Sequence, residues 1–300
     1  MQQTSYKAFH TLWTKPVTSS GNRFEMNDAE MLTMIVSALM WRKYNGSIKL
    51  YTDKEGYDFV SKNNLFELWD NGIDTDILEN NCYPIEPQVF WAAGKLIALE
   101  GCQTPCVMLD TDLIVMKPIA NLLEESVITV LHPEALEPNV YLSPDLLKKP
   151  TGFTFPDYYN WGVLPANTAF VYIRDEKFKR FYIEESKRFM FRNNEMPAEM
   201  VSQMVFAEQR MLAMCADHFG LPVNHLLIEP FSLSNELVIH LWGFKESLRK
   251  SNNLQTLFAK QLLAKVIGEL INFPFFKRYV ETHYPDFLIT DNRLVYGKLL

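Results

Sequence analysis

A chain of 300 residues, 48% hydrophobic and only 22% charged, carries enough apolar material for a large buried core and is not disordered. Its 12 glycines and 16 prolines exclude a collagen-like or low-complexity chain. A net charge of −7 argues against a nucleic-acid partner, which needs clustered Lys and Arg facing phosphate.

No apolar run reaches the roughly 18–20 residues of a membrane span, and the first residues lack a basic flank followed by an apolar block. The expected address is therefore cytoplasmic. Cys82, Cys102, Cys106 and Cys215 lack the second close pair of a structural zinc site and read as free thiols.

In chain order, Tyr6–Trp13 reads as a first strand, and Asn27-Asp28-Ala29-Glu30 has the spacing of a capping box that opens a helix through about Arg42. Ser47–Tyr51 is a short β-rich run ending at Thr52-Asp53. Strand, helix and strand in that order predict a parallel unit with its sites at the carboxyl ends of the strands. Helices are expected over Tyr57–Asn63 and Pro87–Glu100, the second with Lys95 among apolar positions.

Cys106–Met116 then reads as a buried strand that stops being apolar at Asp110 and Asp112 and resumes at once. Ser126–Leu131 is a further strand, and 132–165 is a Pro- and aromatic-rich stretch too long for an ordinary connector, expected to form an active-site loop region. Asn167–Ile173 and Leu237–His240 read as strands, Glu176–Phe191, Pro197–Phe219 and most of Ser251–Tyr284 as helices.

Two carboxylates one residue apart at the end of an apolar strand can be turned toward one hard cation. Magnesium or manganese takes oxygen ligands and keeps positions open for substrate phosphates, so the pair suits a metal beneath a nucleotide diphosphate. Two solvated acids at a strand end would give the same tripeptide. His240 closes an apolar run and reads either as a core histidine or as an imidazole ligand beside the carboxylates. Thr52 and Asp53 lie at the strand edge where such folds hold a nucleotide, although an Asp there is equally a turn residue. Trp161 and Trp242, in a loop and beside His240, could stack on an acceptor sugar or simply pack.

Leu109-Asp-Thr-Asp112, followed by an apolar run and Pro118, resembles the metal-binding segment of GT-A glycosyltransferases. Downstream, Asn167-Thr-Ala is similar to the Asn-Ser-Gly strand of glycosyltransferase family 8, Glu208-Gln209 stands where that family has Asp-Gln, and His240-Leu-Trp-Gly243-Phe-Lys245 resembles its late His-x-x-Gly motif. The chain differs in Ala169 for Gly, Glu208 for Asp, and a Gly243-to-Lys245 spacing one residue shorter.

The resemblance implies a GT-A-like α/β fold, a Rossmann-like sandwich with a mostly parallel central sheet, over 1–250, with a helical C-terminal extension over 251–300. It implies a hexosyltransferase of polysaccharide biosynthesis that moves a sugar from a nucleotide sugar, of UDP type, to a glycan or lipid-linked acceptor with retention. Mn2+ or Mg2+ would be held by Asp110, Asp112 and His240. Thr52, Asp53, Lys95, Asp110, Asn167, Gly243 and Lys245 would bind donor, Trp161 and Trp242 acceptor, and Gln209 or Glu208 would act at the anomeric carbon. An inverting enzyme would instead use a carboxylate base, with Asp157, Glu208 and Asp217 as candidates.

Two other readings compete. A haloacid-dehalogenase-type phosphohydrolase also uses Asp-x-Asp after an apolar strand, but normally at the start of its domain and with a later acidic pair. A non-catalytic nucleotide-sugar-binding protein of the same fold would bind without turnover. Over 254–278, apolar residues alternate with Lys260, Lys265 and Lys277, which fits either a packed helix or peripheral contact with an anionic membrane surface.

Overall fold

The structure is a computed structural model that describes residues 5–228, 236–285, 287–290 and 293–296. The remaining positions of the expected 1–250 and 251–300 segments lie outside the described residues. Seven strands form the central sheet: β1 (Ala8–Leu12), β2 (Ile48–Thr52), β3 (Ile73–Asp74), β4 (Cys106–Leu109), β6 (Ile128–Val130), β7 (Phe170–Ile173) and β8 (Val223–His225). Their order is β3-β2-β1-β4-β7-β6-β8, and β7 alone runs against its two neighbours.

Alternation along the strands divides the core in two, because successive side chains point to opposite faces. Ala8 and Leu12 of β1, with Val107 and Leu109 of β4, face the helices Asp28–Tyr44, Asn252–Leu270 and Pro274–His283. Phe9, Cys106 and Met108 face the other way, toward Ala93–Glu100, Glu176–Met190 and Met211–His218. The chain is thus a mixed α/β sandwich with a mostly parallel sheet, as the motif order implied.

The Asp28–Tyr44 helix begins at the expected capping box: Glu30 N donates to Asn27 Oδ1 at 2.9 Å and Asn27 N to Glu30 Oε2 at 3.2 Å. From Met34 to Met40 every apolar side chain is fully buried. A helix apolar all round needs cover on every side. The sheet covers one side, and the C-terminal helix Asn252–Leu270 packs against it as well.

Of the two readings of 254–278, the packing fits the packed helix. Leu262, Leu263, Ile267, Leu270 and Ile271 are buried in the shared core, and only Leu257 of the apolar set is left half exposed. No helix among the described residues is long and apolar enough to cross a membrane. A chain ending at Ser251 is expected not to fold, because each large side chain uncovered forfeits about 1.5–3 kcal/mol against a total stability of roughly 5–15 kcal/mol. Loss of a cooperative thermal transition and of near-ultraviolet circular dichroism would register it; an intact transition would refute it.

The apolar run at Cys106–Met116 is two strands rather than one interrupted strand. β4 sits mid-sheet, the chain turns at Asp110–Asp112, and β5 (Leu113–Val115) leaves the sheet to pair antiparallel with β9 (Val238–His240), with Leu113 opposite His240. A last antiparallel pair, β10 (Phe287–Thr290) and β11 (Arg293–Tyr296), ends the described chain.

A buried polar chain holds β5 in place. Trp69 Nε1 donates to His10 Nδ1 at 3.3 Å, which leaves the proton on Nε2 to donate to Ser37 Oγ at 3.1 Å, and Ser37 Oγ donates to Leu113 O at 2.5 Å. Burial pushes the His10 pKa down to about 3, against the opposing pull of Asp110. Since the unfolded histidine takes a proton near pH 6.5 and the folded one does not, stability is whole above that pH. It should fall by about 1.4 kcal/mol per pH unit on the way down to about pH 3. Denaturant titrations across that range should show a pH slope in the wild type steeper by one proton than in His10→Gln.

Candidate metal and donor site

The β4–β5 turn and the end of β9 build the site. Asp110 leaves β4 with its N–H bonded to Ala169 O at 2.8 Å, and Leu113 N returns to Asp110 O at 3.1 Å, closing a tight turn. Leu241 N donates to Asp112 O at 3.2 Å, which carries His240 alongside. One ligand atom from each of Asp110, Asp112 and His240 lies within 4.8 Å of the others. Burial holds the His240 pKa below its ordinary value even though Asp112 and Asp110 pull it up. Its imidazole is therefore neutral near pH 7, with a lone pair to offer. Two carboxylates and a neutral imidazole fit a divalent cation such as manganese.

Each carboxylate already meets an ammonium. Lys95, from the Ala93–Glu100 helix, places Nζ 2.8 Å from Asp110 Oδ1 and 2.5 Å from Glu208 Oε1. Lys245 Nζ lies 2.8 Å from Asp112 Oδ2, and His240 Nε2 is 3.7 Å from the same oxygen. Burial disfavours the charge on Lys95, but Asp110 and Glu208 more than offset it and hold the ammonium above its usual range. Asp110 is held below the usual carboxylate range by Lys95 in spite of its burial, whereas burial raises Glu208, with Lys95 opposing and Asp110 adding to the rise.

Glu208 and Gln209 come from one widened π turn, Phe206–Arg210, between the helical segments Ser202–Val205 and Met211–His218. Such a bulge re-aims neighbouring side chains in a way regular helix spacing cannot. Glu208 is buried and points to Lys95. Gln209 Oε1 accepts from Tyr141 Oη at 2.5 Å, a partner supplied by the 132–165 loop region.

The other expected site residues divide. Asn167 is brought in beside β7, its Nδ2 bonded to Glu134 Oε1 at 2.7 Å and its N–H to His132 O at 2.9 Å. Trp242 is exposed at the rim, with its ring edge-on to His132 at 6.5 Å and a left-handed φ of 35°. Gly243 has no left-handed φ, and a Cβ built there would meet nothing within 4 Å. The folded chain therefore gives no steric reason for glycine at that position.

Thr52 and Asp53, expected to bind donor, make hydrogen bonds that hold the fold. The Thr52 hydroxyl donates to Leu12 O at 2.8 Å. The Asp53 carboxylate accepts from Thr14 N, Thr14 Oγ1, Lys15 N and Gly56 N at 2.7 to 3.2 Å, clamping the end of β1 to the start of the Lys54–Lys62 helix. Trp161, expected at the acceptor, stacks on Phe206 at 5.6 Å and lies under the Arg210 guanidinium, so it packs rather than presents a ring. Asp157 and Asp217 are exposed beside the Tyr158–His218 stack.

Sequence reading did not single out His132, Glu134 and Tyr141, which stand against Trp242, Asn167 and Gln209. His132 follows an apolar strand as Asp110 follows β4, so the rule that sites gather at strand carboxyl ends could have found it. Tyr141 carries no signal of its own in an aperiodic loop.

Residues 6–287 match a family model described as a family of unknown function, DUF6734. The chain belongs to that family. No curated protein matches it. Among solved structures it is similar to mouse xyloside xylosyltransferase 1 in its apo form, at 13% identity over 74% of this chain and 85% of that one, with a TM-score of 0.38. It is similar to the galactosyltransferase LgtC in complex with donor and acceptor sugar analogues, at 11% identity over 85% and 95% of the two chains, with a TM-score of 0.42. A third similar structure is the 4-diphosphocytidyl-2C-methyl-D-erythritol synthase of Anaerococcus prevotii, at 12% identity over 87% and 96%, with a TM-score of 0.40.

Proposed function

We propose that this chain is a metal-dependent glycosyltransferase of the GT-A type. It takes a nucleotide sugar of UDP type as donor and a glycan or lipid-linked molecule as acceptor. The observation that carries the reading is the convergence of Asp110, Asp112 and His240, separated by about 130 residues in sequence, within 4.8 Å at the carboxyl end of β4. The motif order in the sequence implies that ligand set.

A divalent cation bound there supplies positive charge where negative charge develops on a departing diphosphate. The chain's own residues do the rest. Lys95, fixed between Glu208 and Asp110, keeps one ammonium directed at Asp110 and stops that carboxylate from turning away from the site. Asn167, bonded to Glu134, and Gln209, bonded to Tyr141, are both tied to the 132–165 loop region, where sugar and acceptor would meet. Gln209 is the residue assigned to the anomeric carbon if configuration is retained. The open side of Gly243 leaves its backbone approachable by phosphate, and exposed Trp242 offers a ring face to the acceptor.

The reading is tested by incubating the full chain with manganese and a panel of nucleotide sugars, recording thermal protection and slow donor hydrolysis. Protection by one nucleotide diphosphate series, dependent on manganese and accompanied by hydrolysis, is the expected result. Protection without any turnover on added glycan acceptors would favour the binding protein instead, and release of phosphate from a phosphomonoester would favour the phosphohydrolase.

A further inference from the structure

We infer that Arg210 is a seat for the carboxylate of an acidic sugar, so that one of the two sugars meeting at Gln209 is a uronic acid rather than a neutral hexose. The inference rests on the transferase reading above and deepens it by naming a chemical class of substrate.

Arg210 ends the π turn that also carries Glu208 and Gln209, and it is only 3% exposed. A charge withdrawn from water to that degree is ordinarily held by an anion. Among the described residues no carboxylate stands within ion-pair distance of this guanidinium, and its one hydrogen bond runs from Nη2 to Trp161 O at 2.7 Å. Nε is enclosed without a hydrogen-bond partner. Nη1 has no partner either and is not enclosed, so a ligand can meet the group from that side. The Trp161 ring, 5.5 Å from the guanidinium carbon, helps to fix the position of the fork before any ligand arrives.

The neighbouring groups do not supply the missing anion. Burial pulls the Arg210 pKa down, and the group that opposes the fall is Tyr141. Burial, with Glu134 and Glu208 adding to it, holds the Tyr141 phenol well above its usual range, so near pH 7 it is a neutral donor to Gln209 and not a counter-ion. Glu208 is taken by Lys95 at 2.5 Å and Glu134 by Asn167 Nδ2 at 2.7 Å. The anion must come from a ligand, and Arg210 directly follows the residue assigned to the anomeric carbon. A carboxylate matches one guanidinium in charge and in its planar pair of oxygens. A dianionic phosphate would bring surplus negative charge within reach of Glu134 and Glu208, whose fields already act on Tyr141.

The test titrates the full wild-type chain and Arg210→Gln by calorimetry in the presence of Mn2+. One set of probes is methyl glucuronide and methyl galacturonide against methyl glucoside and methyl galactoside, with and without UDP. The other is UDP-glucuronate and UDP-galacturonate against UDP-glucose and UDP-galactose. In one set the acid should bind wild type about tenfold or more tightly than its neutral counterpart, and Arg210→Gln should lose that preference while its affinity for the neutral sugar changes little. The first set assigns the carboxylate to the acceptor and the second to the transferred sugar. Without ligand, Arg210→Met should melt no lower than wild type, because it removes an unpaired buried charge and keeps the packing of the stem.

Equal affinity of wild type for acid and neutral sugars in both sets overturns the inference whatever the variants do, and so does a preference that survives in Arg210→Gln. Tighter binding of glucose 6-phosphate than of either uronic acid overturns the carboxylate assignment. A lowered melting temperature in Arg210→Met without any acid preference in wild type assigns Arg210 to packing and overturns the inference. Protection from heat by Mn2+ and UDP, recorded on the same samples, separates the two readings: protection without acid preference removes the carboxylate seat and leaves the transferase, whereas acid preference dependent on Arg210 without such protection keeps the seat and removes the transferase.

Discussion

Asp112→Asn is expected to abolish manganese-dependent transfer, by at least roughly 10³-fold, while leaving the chain folded. Asn keeps the volume of the side chain and the backbone bond from Leu241 N to residue 112 O is untouched. What it removes is the charge that both a cation and Lys245 would use. Because Lys245 is partly exposed and can hydrate when released, the stability cost should be on the order of 1 kcal/mol. Donor hydrolysis and transfer, measured with the nucleotide sugar selected by thermal protection, should fall together and should not recover at high manganese. Wild-type rates in Asp112→Asn treated with chelator would remove the carboxylate from the mechanism.

The second large effect is expected at Lys95. Lys95→Met takes the one ammonium from between two carboxylates, of which Glu208 is almost wholly enclosed. Breaking a buried ion pair from one side costs about 3–5 kcal/mol, which for a chain of this size corresponds to a fall in Tm of roughly 10 °C. The pH dependence separates this from a simple packing defect. Burial and Asp110 already raise the Glu208 pKa, and without Lys95 only the Thr168 hydroxyl still opposes the rise, so the folded state of the variant binds a proton more readily than the unfolded state. Its stability deficit should be full at high pH and should shrink as pH falls through that raised value. Lys95→Met/Glu208→Gln should recover much of the loss at neutral pH. A deficit independent of pH and of Glu208→Gln would mean that Lys95 contributes packing alone.

The two halves of this site were unequally legible in the sequence. Asp110 and Asp112 are visible as the acids that break an apolar run, a weak signal alone that gains weight from the order of the later motifs, because the rule that strands end where they meet water applies within a handful of residues. Gln209 and Glu208 were named as alternatives for the same task, yet the π turn sends them to different neighbours. That turn inserts one residue's worth of backbone into a helix, and nothing in the pattern Phe-Ala-Glu-Gln-Arg marks it. Thr52 and Asp53 stand at the edge of the sheet the sequence assigned them, and there they bond to the fold itself. A carboxylate that caps a helix and one that waits for a ligand look the same in sequence, and only the four donors gathered around Asp53 decide between them.

The sequence by itself determined the order of the principal strands and helices, the capping box at Asn27, the strand end at Asp110 and the late histidine at 240. These depend on period, composition and contacts between near neighbours, which a linear chain carries openly. The tertiary structure decided that β5 leaves the central sheet for β9, which carries His240 to the two aspartates, and that Lys95 and Lys245 each take one of them. It also decided that the apolar face of 254–278 covers the Asp28–Tyr44 helix instead of facing outward. Each of these is a choice of partner between segments more than a hundred residues apart. Such a choice is made by burial summed over the whole core, a quantity no local window of the sequence contains.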